Sequence, residues 1–505
     1  MGKRTKTEKN ARQSGILMPI SSLPSKFGIG VLGKSAYKFV DYAKKCGAKI
    51  WQVLPLLPTG YGDSPYQASS ADALNYYFID FEALEKEKLL VKADYEYIDW
   101  GNDPRRVDYG KLFTHKANVL KKAFYRFNKS DEVWQAFLQE GRYYDFAVFM
   151  SLKVYHGYRP WEEWGEYAEY DEERVEKFVE KHEEDVLFWQ FTQFLFLKQW
   201  KKLKAYANRK GVKIMGDMPI YLSGDSVENW KYRKEMFLVG ADGKPSLKAG
   251  VPPDAFSDDG QLWGNPLYDW EKMRETDYAW WKGRIAYALE LFDIVRIDHF
   301  RGFDRFYAVP SHSDTAKIGE WMQGPSDELF ADLKGAPIVA EDLGMIDESV
   351  REMMRKVGYP GMKVLEFAFD GNPDNDHLPS NYVENCVAYS GTHDNMPLLG
   401  YLDELDQDGY DSFVRCLRRE CSLVGVCCAA NTPIEVCQSV IRLLYSSKAD
   451  TVVIPLQDLL CYGAESRINA PSTLSGGNWT FRFVKADFKR DAAKFAYTLV
   501  KKYDR

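Results

Sequence analysis

Three acidic residues each follow a short apolar run, at the point where a buried strand is expected to end. The acids Asp298, Glu341 and Asp394 come after the runs at 294–297, 336–340 and 386–389, respectively. A carboxylate in such a place costs desolvation energy unless it has a partner or a chemical task. Two carboxyl groups held close together, one ionised as a nucleophile and one protonated as an acid, can carry out covalent and general acid catalysis. The three acids are therefore candidates for such a site if the fold brings them together.

Arg296 bears directly on the charge of Asp298. The two residues are two positions apart and therefore lie on the same face of the predicted strand. We expect the guanidinium to keep Asp298 ionised at neutral pH, as a nucleophile requires. Burial of Glu341 close to other acids would raise its pKa and let it carry a proton. For any one of these acids, a structural salt bridge at a strand end is the alternative, and His299 fits either a hydrogen-bonded neighbour or a substrate contact.

The elements that must position these acids alternate between strand and helix along the chain. Eight apolar runs are predicted as strands, at 14–20, 50–57, 212–215, 294–297, 336–340, 363–368, 386–389 and 451–456. Polar residues gather after most of them. An α/β fold of eight strand–helix units with polar residues at the carboxyl ends of its strands is typical of a TIM (β/α)8 barrel. No β domain is expected after the eighth strand.

Two long segments exceed what simple strand–helix units need. Residues 76–211 are predicted to form a mostly helical insertion after the second strand, and residues 218–275 an irregular lid after the third. Residues 269–291 are predicted to form one helix that leads into the strand before Asp298. The sequence thus predicts a single catalytic barrel over residues 1–505 with two large inserted subdomains.

Composition excludes several classes of protein. The 505 residues include 67 Lys and Arg against 74 Asp and Glu, a net charge of −7 that favours neither nucleic acid nor an anionic membrane as partner. No signal peptide or membrane span is predicted. The eight cysteines show no Cys-x-x-Cys spacing, so we expect reduced, buried thiols in a cytoplasmic protein. No metal or other cofactor is expected.

A glycine-rich stretch at 28–35 fits both the dinucleotide fingerprint and the P-loop pattern. Both patterns require a strand that runs directly into the glycines, whereas residues 21–27, with Pro24, intervene here. A packed glycine-rich turn is the preferred interpretation, and a nucleotide-binding P-loop enzyme is the remote alternative.

Taken in order, a set of motifs resembles the 4-α-glucanotransferases, the amylomaltase or disproportionating-enzyme family. The resemblance runs from about Gly15 to Trp479 and rests on the motifs at 22–30, 58–67, 216–221, 253–266, 296–302, 340–344, 391–395 and 467–469. One departure is Met396-Pro397, where many members have Asp-Thr, which affects contacts near Asp394.

The resemblance implies a role for each acid and a set of sugar contacts. Asp298 matches the family's nucleophile, Glu341 its general acid/base, and Asp394 the third carboxylate, which grips sugar hydroxyls. Phe256, Gln261 and Trp263 fall on the family's acceptor-side loop. Substrate contacts are implied at Tyr66, Ser64, Asp217, Arg296, His393, Phe256, Gln261, Trp263, Asp370 and Asn469, and at Tyr61 in a secondary glucan site.

The expected function is 4-α-glucan transfer. Segments of α-1,4-glucans and maltooligosaccharides would pass to glucose or to another glucan by double displacement, through a covalent glucosyl-enzyme. An α-glucan hydrolase of the amylase type is the nearest alternative, because it would use the same carboxylates. A catalytically inactive glucan-binding barrel is a further alternative.

Overall fold

The structure is a computed structural model that describes residues 12–253, 258–474 and 476–505. Within these ranges the strands, numbered in chain order, are β1 Gln13–Leu17, β2 Ile50–Gln52, β3 Lys213–Met218, β4 Leu247–Val251, β5 Gln261–Pro266, β6 Ile294–Ile297, β7 Arg305–Pro310, β8 Glu320–Gln323, β9 Ile338–Ala340, β10 Gly361–Val364, β11 Cys386–Tyr389 and β12 Thr451–Pro455. The helices are α1 Lys34–Lys45, α2 Phe81–Lys86, α3 Tyr109–Arg126, α4 Glu132–Glu140, α5 Tyr144–Tyr155, α6 Glu172–Arg209, α7 Val227–Lys231, α8 Arg233–Met236, α9 Trp270–Glu275, α10 Ala279–Leu291, α11 Glu348–Val357, α12 Leu398–Glu404, α13 Gln407–Leu423, α14 Pro433–Ser446, α15 Leu456–Leu459 and α16 Arg490–Tyr503.

Eight of these strands form a parallel sheet in the order β10-β11-β12-β1-β2-β3-β6-β9. The two outermost strands of this order also meet, because the Ala340 N–H at the end of β9 donates to the Pro360 carbonyl at 2.9 Å, just before β10. The sheet therefore curls into the barrel that the sequence predicts. All eight predicted strands are present, but the second ends at Gln52 rather than Leu57, and the sixth begins at Gly361.

The connection between β2 and β3 contains five helices, α2 to α6. Its longest helix, α6, begins after Asp171, whose side chain accepts the Arg174 N–H at 2.8 Å and so satisfies one of the free donors of the first turn. Along its second half, large apolar side chains such as Phe188, Trp189 and Trp200 are buried, and the Trp200 indole N–H donates to the Leu291 carbonyl at 2.9 Å. That burial, rather than a ligand, explains their helical spacing.

The segment after β3 differs from the predicted irregular lid. β4 and β5 lie in it, and they join β7 and β8 in a four-stranded antiparallel sheet of order β5-β4-β7-β8. Since β4 pairs with β7, more than fifty residues further on, no local pattern marks it as a strand. The predicted helix over 269–291 is likewise wrong as a single helix. It is broken between α9 and α10, where Asp277 and Tyr278 adopt positive φ angles of 53° and 55°.

The glycine-rich stretch at 28–35 packs against the protein itself. A Cβ on Gly30 would lie 1.7 Å from the Ile20 carbonyl oxygen, and one on Gly33 would lie 2.5 Å from the Asp80 carboxyl carbon. A carboxylate beside Gly33 would repel a phosphate at the start of α1. These contacts agree with a packed turn and not with a P-loop.

Other features of the described ranges concern cysteines, metals and membranes. All eight cysteines are unpaired, and Cys427 is exposed, so the thiols are not uniformly buried as expected. Over the same ranges, no three His, Cys, Asp or Glu side chains come together as a metal would require. None of the helices given above combines the length and the apolar character needed to cross a bilayer.

Candidate active site

A cavity of about 720 Å³ opens at the carboxyl ends of the barrel strands. Asp298, Glu341 and Asp394 all line it, although they follow the different strands β6, β9 and β11. Since the carboxyl ends of parallel strands meet at one end of a barrel, residues distant in sequence converge there. The structure thus brings the three predicted acids to a single site.

Arg296 is held from two sides. One guanidinium nitrogen, Nη1, donates to both carboxylate oxygens of Asp217 at 2.7 Å, while Nη2 lies 2.9 Å from Oδ1 of Asp298. The first contact follows from the sheet, because Arg296 on β6 pairs in register with Asp217 on β3. The Arg296 side chain is only 4% exposed, so a buried and fixed cation lies beside Asp298.

Glu341 is oriented by two main-chain donors. Its Oε1 accepts the Leu343 N–H and its Oε2 accepts the His299 N–H, both at 2.7 Å. His299 adopts a left-handed conformation with φ of 48°, which is uncommon for a residue other than glycine. This local geometry links the acid that follows β9 to the residue next to Asp298.

The protonation of the two central acids differs from the simple expectation. Burial raises the pKa of Asp298 well above its usual range, and the charge of Glu341 raises it further, whereas Arg296 lowers it. Arg296 also neutralises Asp217, so its charge alone does not cancel the increase in the pKa of Asp298 that burial causes. Burial likewise raises the pKa of Glu341. Since two neighbouring carboxylates do not readily ionise together, we infer that the pair holds one proton over a broad pH range.

The aromatic side chains of Tyr66, His393 and Trp479 pack beside these charges but are not among the residues that line the cavity. The Tyr66 hydroxyl donates to Oδ2 of Asp217 at 2.7 Å, and its ring stacks on His393 with centroids 5.2 Å apart. Trp479 lies against both rings. Burial raises the pKa of Tyr66 and lowers that of His393, so both side chains are neutral at physiological pH. Ser64 acts indirectly, since its Oγ accepts the Tyr66 N–H at 3.2 Å.

Hydrogen bonds from neighbouring side chains fix the position of Asp394. Asn469 donates from Nδ2 to Oδ1 of Asp394 at 2.7 Å, and Nε2 of His393 lies 3.4 Å from Oδ2. Arg467 donates from Nη2 to the main-chain oxygen of Asp394 at 2.9 Å. On the other side of the loop, Asn395 accepts the Thr392 N–H at 2.8 Å. The loop around Asp394 is therefore tied down despite the departure at 396–397.

Gln261 and Trp263, both on β5, line the same cavity as the three acids. The Trp263 indole N–H donates to Oε1 of Gln261 at 3.2 Å, and its ring meets His299 edge to face, with centroids 4.8 Å apart. Burial lowers the pKa of His299 to about 3, so this ring is neutral. Phe256 and the side chain of Tyr61 lie outside the part of the chain that the structure describes.

Beyond β10 the cavity continues to Asp370, which also lines it. Several further lining residues were not predicted from the sequence, namely Arg301, Trp321, Glu366, His377 and Arg467. Arg301 and Arg467 lie within the motifs at 296–302 and 467–469, so the sequence did contain a signal for both. Trp321 carried none, because β8 belongs to the antiparallel sheet that the sequence did not predict. The Arg301 guanidinium lies 4.0 Å from the centre of the Trp321 ring.

Comparisons with known proteins agree on one family. A family model described as 4-alpha-glucanotransferase matches residues 18–486. A 4-alpha-glucanotransferase of Clostridium butyricum is 42% identical over 501 residues, covering 97% of this chain and 100% of the relative. One of Thermus thermophilus is 40% identical over 490 residues, covering 94% of this chain and 95% of the relative.

The fold agrees as well. The structure of an amylomaltase from Streptococcus agalactiae in complex with acarbose matches with a TM-score of 0.92 at 41% sequence identity, covering 98% of this chain and 99% of that one. The match extends over the barrel and its insertions. The chain therefore belongs to the 4-α-glucanotransferase family, which confirms the predicted family and the predicted class of enzyme.

Proposed function

We propose that the cavity transfers α-1,4-glucan segments by a retaining double displacement in which Asp298 is the nucleophile and Glu341 the general acid/base. The observation that carries this proposal is that both acids line one cavity, with a buried arginine fixed 2.9 Å from the carboxylate of Asp298. Retaining chemistry requires one ionised and one protonated carboxyl group, and a pair that shares a single proton meets that requirement.

The first displacement cleaves the donor glucan. Asp298 attacks the anomeric carbon and forms a glucosyl ester, while Glu341 gives its proton to the leaving glycosidic oxygen. A glucan bound next to Asp298 excludes water, and Arg296 stabilises the carboxylate form of Asp298, so the shared proton resides on Glu341. In the second displacement Glu341 takes the proton of the incoming hydroxyl, whose oxygen attacks the anomeric carbon and forms the new glycosidic bond. The ester bond breaks, so Asp298 leaves as a carboxylate and Glu341 is again protonated.

The remaining polar residues hold the sugar at the cleavage point. Asp394, oriented by Asn469, accepts hydrogen bonds from sugar hydroxyls. These hydrogen bonds become stronger as positive charge develops at the anomeric carbon in the transition state. His393 and Tyr66 provide neutral polar contacts beside it. Asp217 acts mainly through Arg296 and Tyr66, both of which it binds directly.

Transfer competes with hydrolysis at the glucosyl-enzyme. Gln261 and Trp263 face the cavity beside His299 and bind the acceptor sugar, together with Phe256 from the same segment. An acceptor held there excludes water from the ester and places its 4-hydroxyl near Glu341. Tyr61, on the loop before Tyr66, contributes to a secondary glucan site.

Incubation with maltotriose tests this proposal against hydrolysis. Transfer converts maltotriose into glucose and longer oligosaccharides, whereas hydrolysis yields only shorter products. The Asp298→Asn variant is expected to give neither. We further propose that the enzyme acts in the cytoplasm on maltodextrins, as one catalytic barrel over 1–505 with insertions at about 76–211 and 218–275.

A further inference from the structure

A second cavity, of about 700 Å³, lies on the outer wall of the barrel and is called the outer groove here. It runs along β10 and the start of β11. The connection between these strands, residues 365–385, contains only the short 3-10 turns Leu365–Phe367 and Pro379–Asn381, so no α-helix of this connection covers β10 from outside. Helix α11 forms one side of the groove through Arg351 and Arg355.

The outer groove adjoins the active-site cavity. The two cavities share the residues Gly344, Asp370, Asn375 and His377. In the ring of strands, β6 and β9 separate β3 from β10, and these two strands carry Asp298 and Glu341. The acceptor-side residues after β3 and the mouth of the outer groove after β10 therefore lie on opposite sides of the two acids.

The chemistry of the groove suits a neutral chain rich in hydroxyl groups. The cations Arg351, Arg355 and Lys363 nearly balance the acids Asp342, Asp370, Asp374 and Asp376. Burial lowers the pKa of His377 to about 4, so it adds no charge near pH 7. The amides of Asn372 and Asn385, with these charged groups, offer planar donors and acceptors for hydroxyl pairs, beside the apolar side chain of Val383.

We propose that the outer groove binds the distal donor segment of an α-1,4-glucan whose scissile bond lies between Asp298 and Glu341. This inference rests on the proposed function, because it takes the β10 side of the cavity as the donor side. A long donor would leave the active site past Asp370 and descend along β10. Maltotriose is too short to occupy the acceptor side and the outer groove together, so the groove selects long donors without affecting the chemistry.

Variants confined to the outer groove test this inference. Lys363→Ala/Arg355→Ala removes two donors, and Val383→Trp fills the groove from a side chain that is 59% exposed and therefore tolerant of substitution. With amylose as donor and glucose as acceptor, both variants should raise KM about fivefold or more with kcat unchanged, as expected for lost ground-state contacts. With maltotriose, their kcat/KM should stay within about twofold of wild type.

Matched controls are Lys45→Ala/Arg418→Ala and Leu423→Trp, which change exposed positions outside the groove. An unchanged KM for amylose in both groove variants would overturn the inference. An equal loss of kcat/KM with amylose and with maltotriose would overturn it as well. Calorimetric binding of amylose to the inactive Asp298→Asn protein, with and without Val383→Trp, separates the two proposals. Weaker amylose binding by the Val383→Trp protein supports glucan binding in the outer groove. If the wild-type enzyme failed to produce oligosaccharides longer than maltotriose, that result would overturn only the proposed function.

Discussion

The main-chain N–H of His299 donates a 2.7 Å hydrogen bond to Oε2 of Glu341. His299 directly follows Asp298, so the strand end that carries the proposed nucleophile also positions the proposed acid/base. The left-handed conformation of His299 directs its N–H toward Glu341. One local turn therefore sets the relative position of two residues that are distant in sequence.

This hydrogen bond comes from the main chain, so the His299 side chain is expected to be replaceable. His299→Asn should keep the turn, because asparagine tolerates positive φ better than most residues. His299→Val should disrupt it, since a β-branched residue is strained there. We expect kcat for maltotriose transfer to fall less than about tenfold in the first variant and more than about a hundredfold in the second. Equal losses of kcat in the two variants would show that the reaction depends on the imidazole ring and not on the turn.

The pH dependence of transfer should reflect the raised pKa values of Asp298 and Glu341. Below both pKa values the nucleophile is protonated, and above both the acid is lost, so kcat/KM should fall on each side. Because burial raises the pKa of Glu341, the alkaline fall should lie clearly above pH ~4.3, the ordinary glutamate value. An alkaline fall centred near that ordinary value would contradict the assignment. His299, with a pKa lowered to about 3, should cause neither fall near neutral pH.

Asp217→Asn should damage both stability and catalysis. Asp217 accepts two hydrogen bonds from Arg296 in a fully buried pair, so the change leaves Arg296 with less compensation. We expect a loss of about 3 kcal/mol in the free energy of unfolding, as for other broken buried pairs. Urea titration measures it, with Asp277→Asn as the control because that side chain is 82% exposed. A loss below about 0.5 kcal/mol, the level of a surface pair, would contradict the arrangement.

Glu228 provides a stability prediction away from the cavity. It is 6% exposed on α7, its Oε1 accepts the Ala71 N–H at 2.8 Å, and burial raises its pKa from 4.5 to about 7. The folded protein therefore binds this proton more tightly than the unfolded chain, and the contribution to stability is lost as pH rises from about 4.5 to 7. Glu228→Gln should match wild type at pH ~5 and be more stable at pH ~8, by up to about 3 kcal/mol. Urea unfolding at the two pH values measures this difference.

The exposed Glu235→Gln serves as the control for Glu228→Gln, because it lies on the neighbouring helix α8. It should change stability equally at both pH values. If the effect of Glu228→Gln on the free energy of unfolding were also the same at both pH values, the Glu228 carboxyl group would ionise in the folded protein as easily as in the unfolded chain. That result would contradict the prediction.

Trp321 is expected to contribute to acceptor binding. Its ring packs on the Arg301 guanidinium and lines the same cavity as Gln261 and Trp263. Trp321→Ala should raise the acceptor KM about tenfold for maltotriose as acceptor and less for glucose, since only the longer acceptor reaches it. Trp321→Phe should recover most of this loss by restoring a ring. A uniform effect on glucose and maltotriose would instead indicate a general loosening of the antiparallel sheet.

The features predictable from the sequence were those set by local patterns. Eight apolar runs marked the barrel strands, and their order placed Asp298, Glu341 and Asp394 at one end. The sharing of Arg296 between Asp298 and Asp217 was not predictable, because it depends on the register of β6 against β3. The sheet that brings in Trp321 depends on the long-range pairing of β4 with β7. Long-range register and backbone strain at single residues leave little trace in local composition.

The covalent glucosyl-enzyme tests the central claim most directly. The Glu341→Gln variant should react with maltotriosyl fluoride, because a fluoride leaving group needs little acid catalysis, but should release the sugar slowly without a general base. Acid quenching and peptide mass spectrometry should then find a maltotriosyl ester on Asp298, and none in the Glu341→Gln/Asp298→Asn protein. Consumption of the fluoride with an adduct on another residue, or with no adduct at any time, would contradict the assignment of Asp298 as the nucleophile.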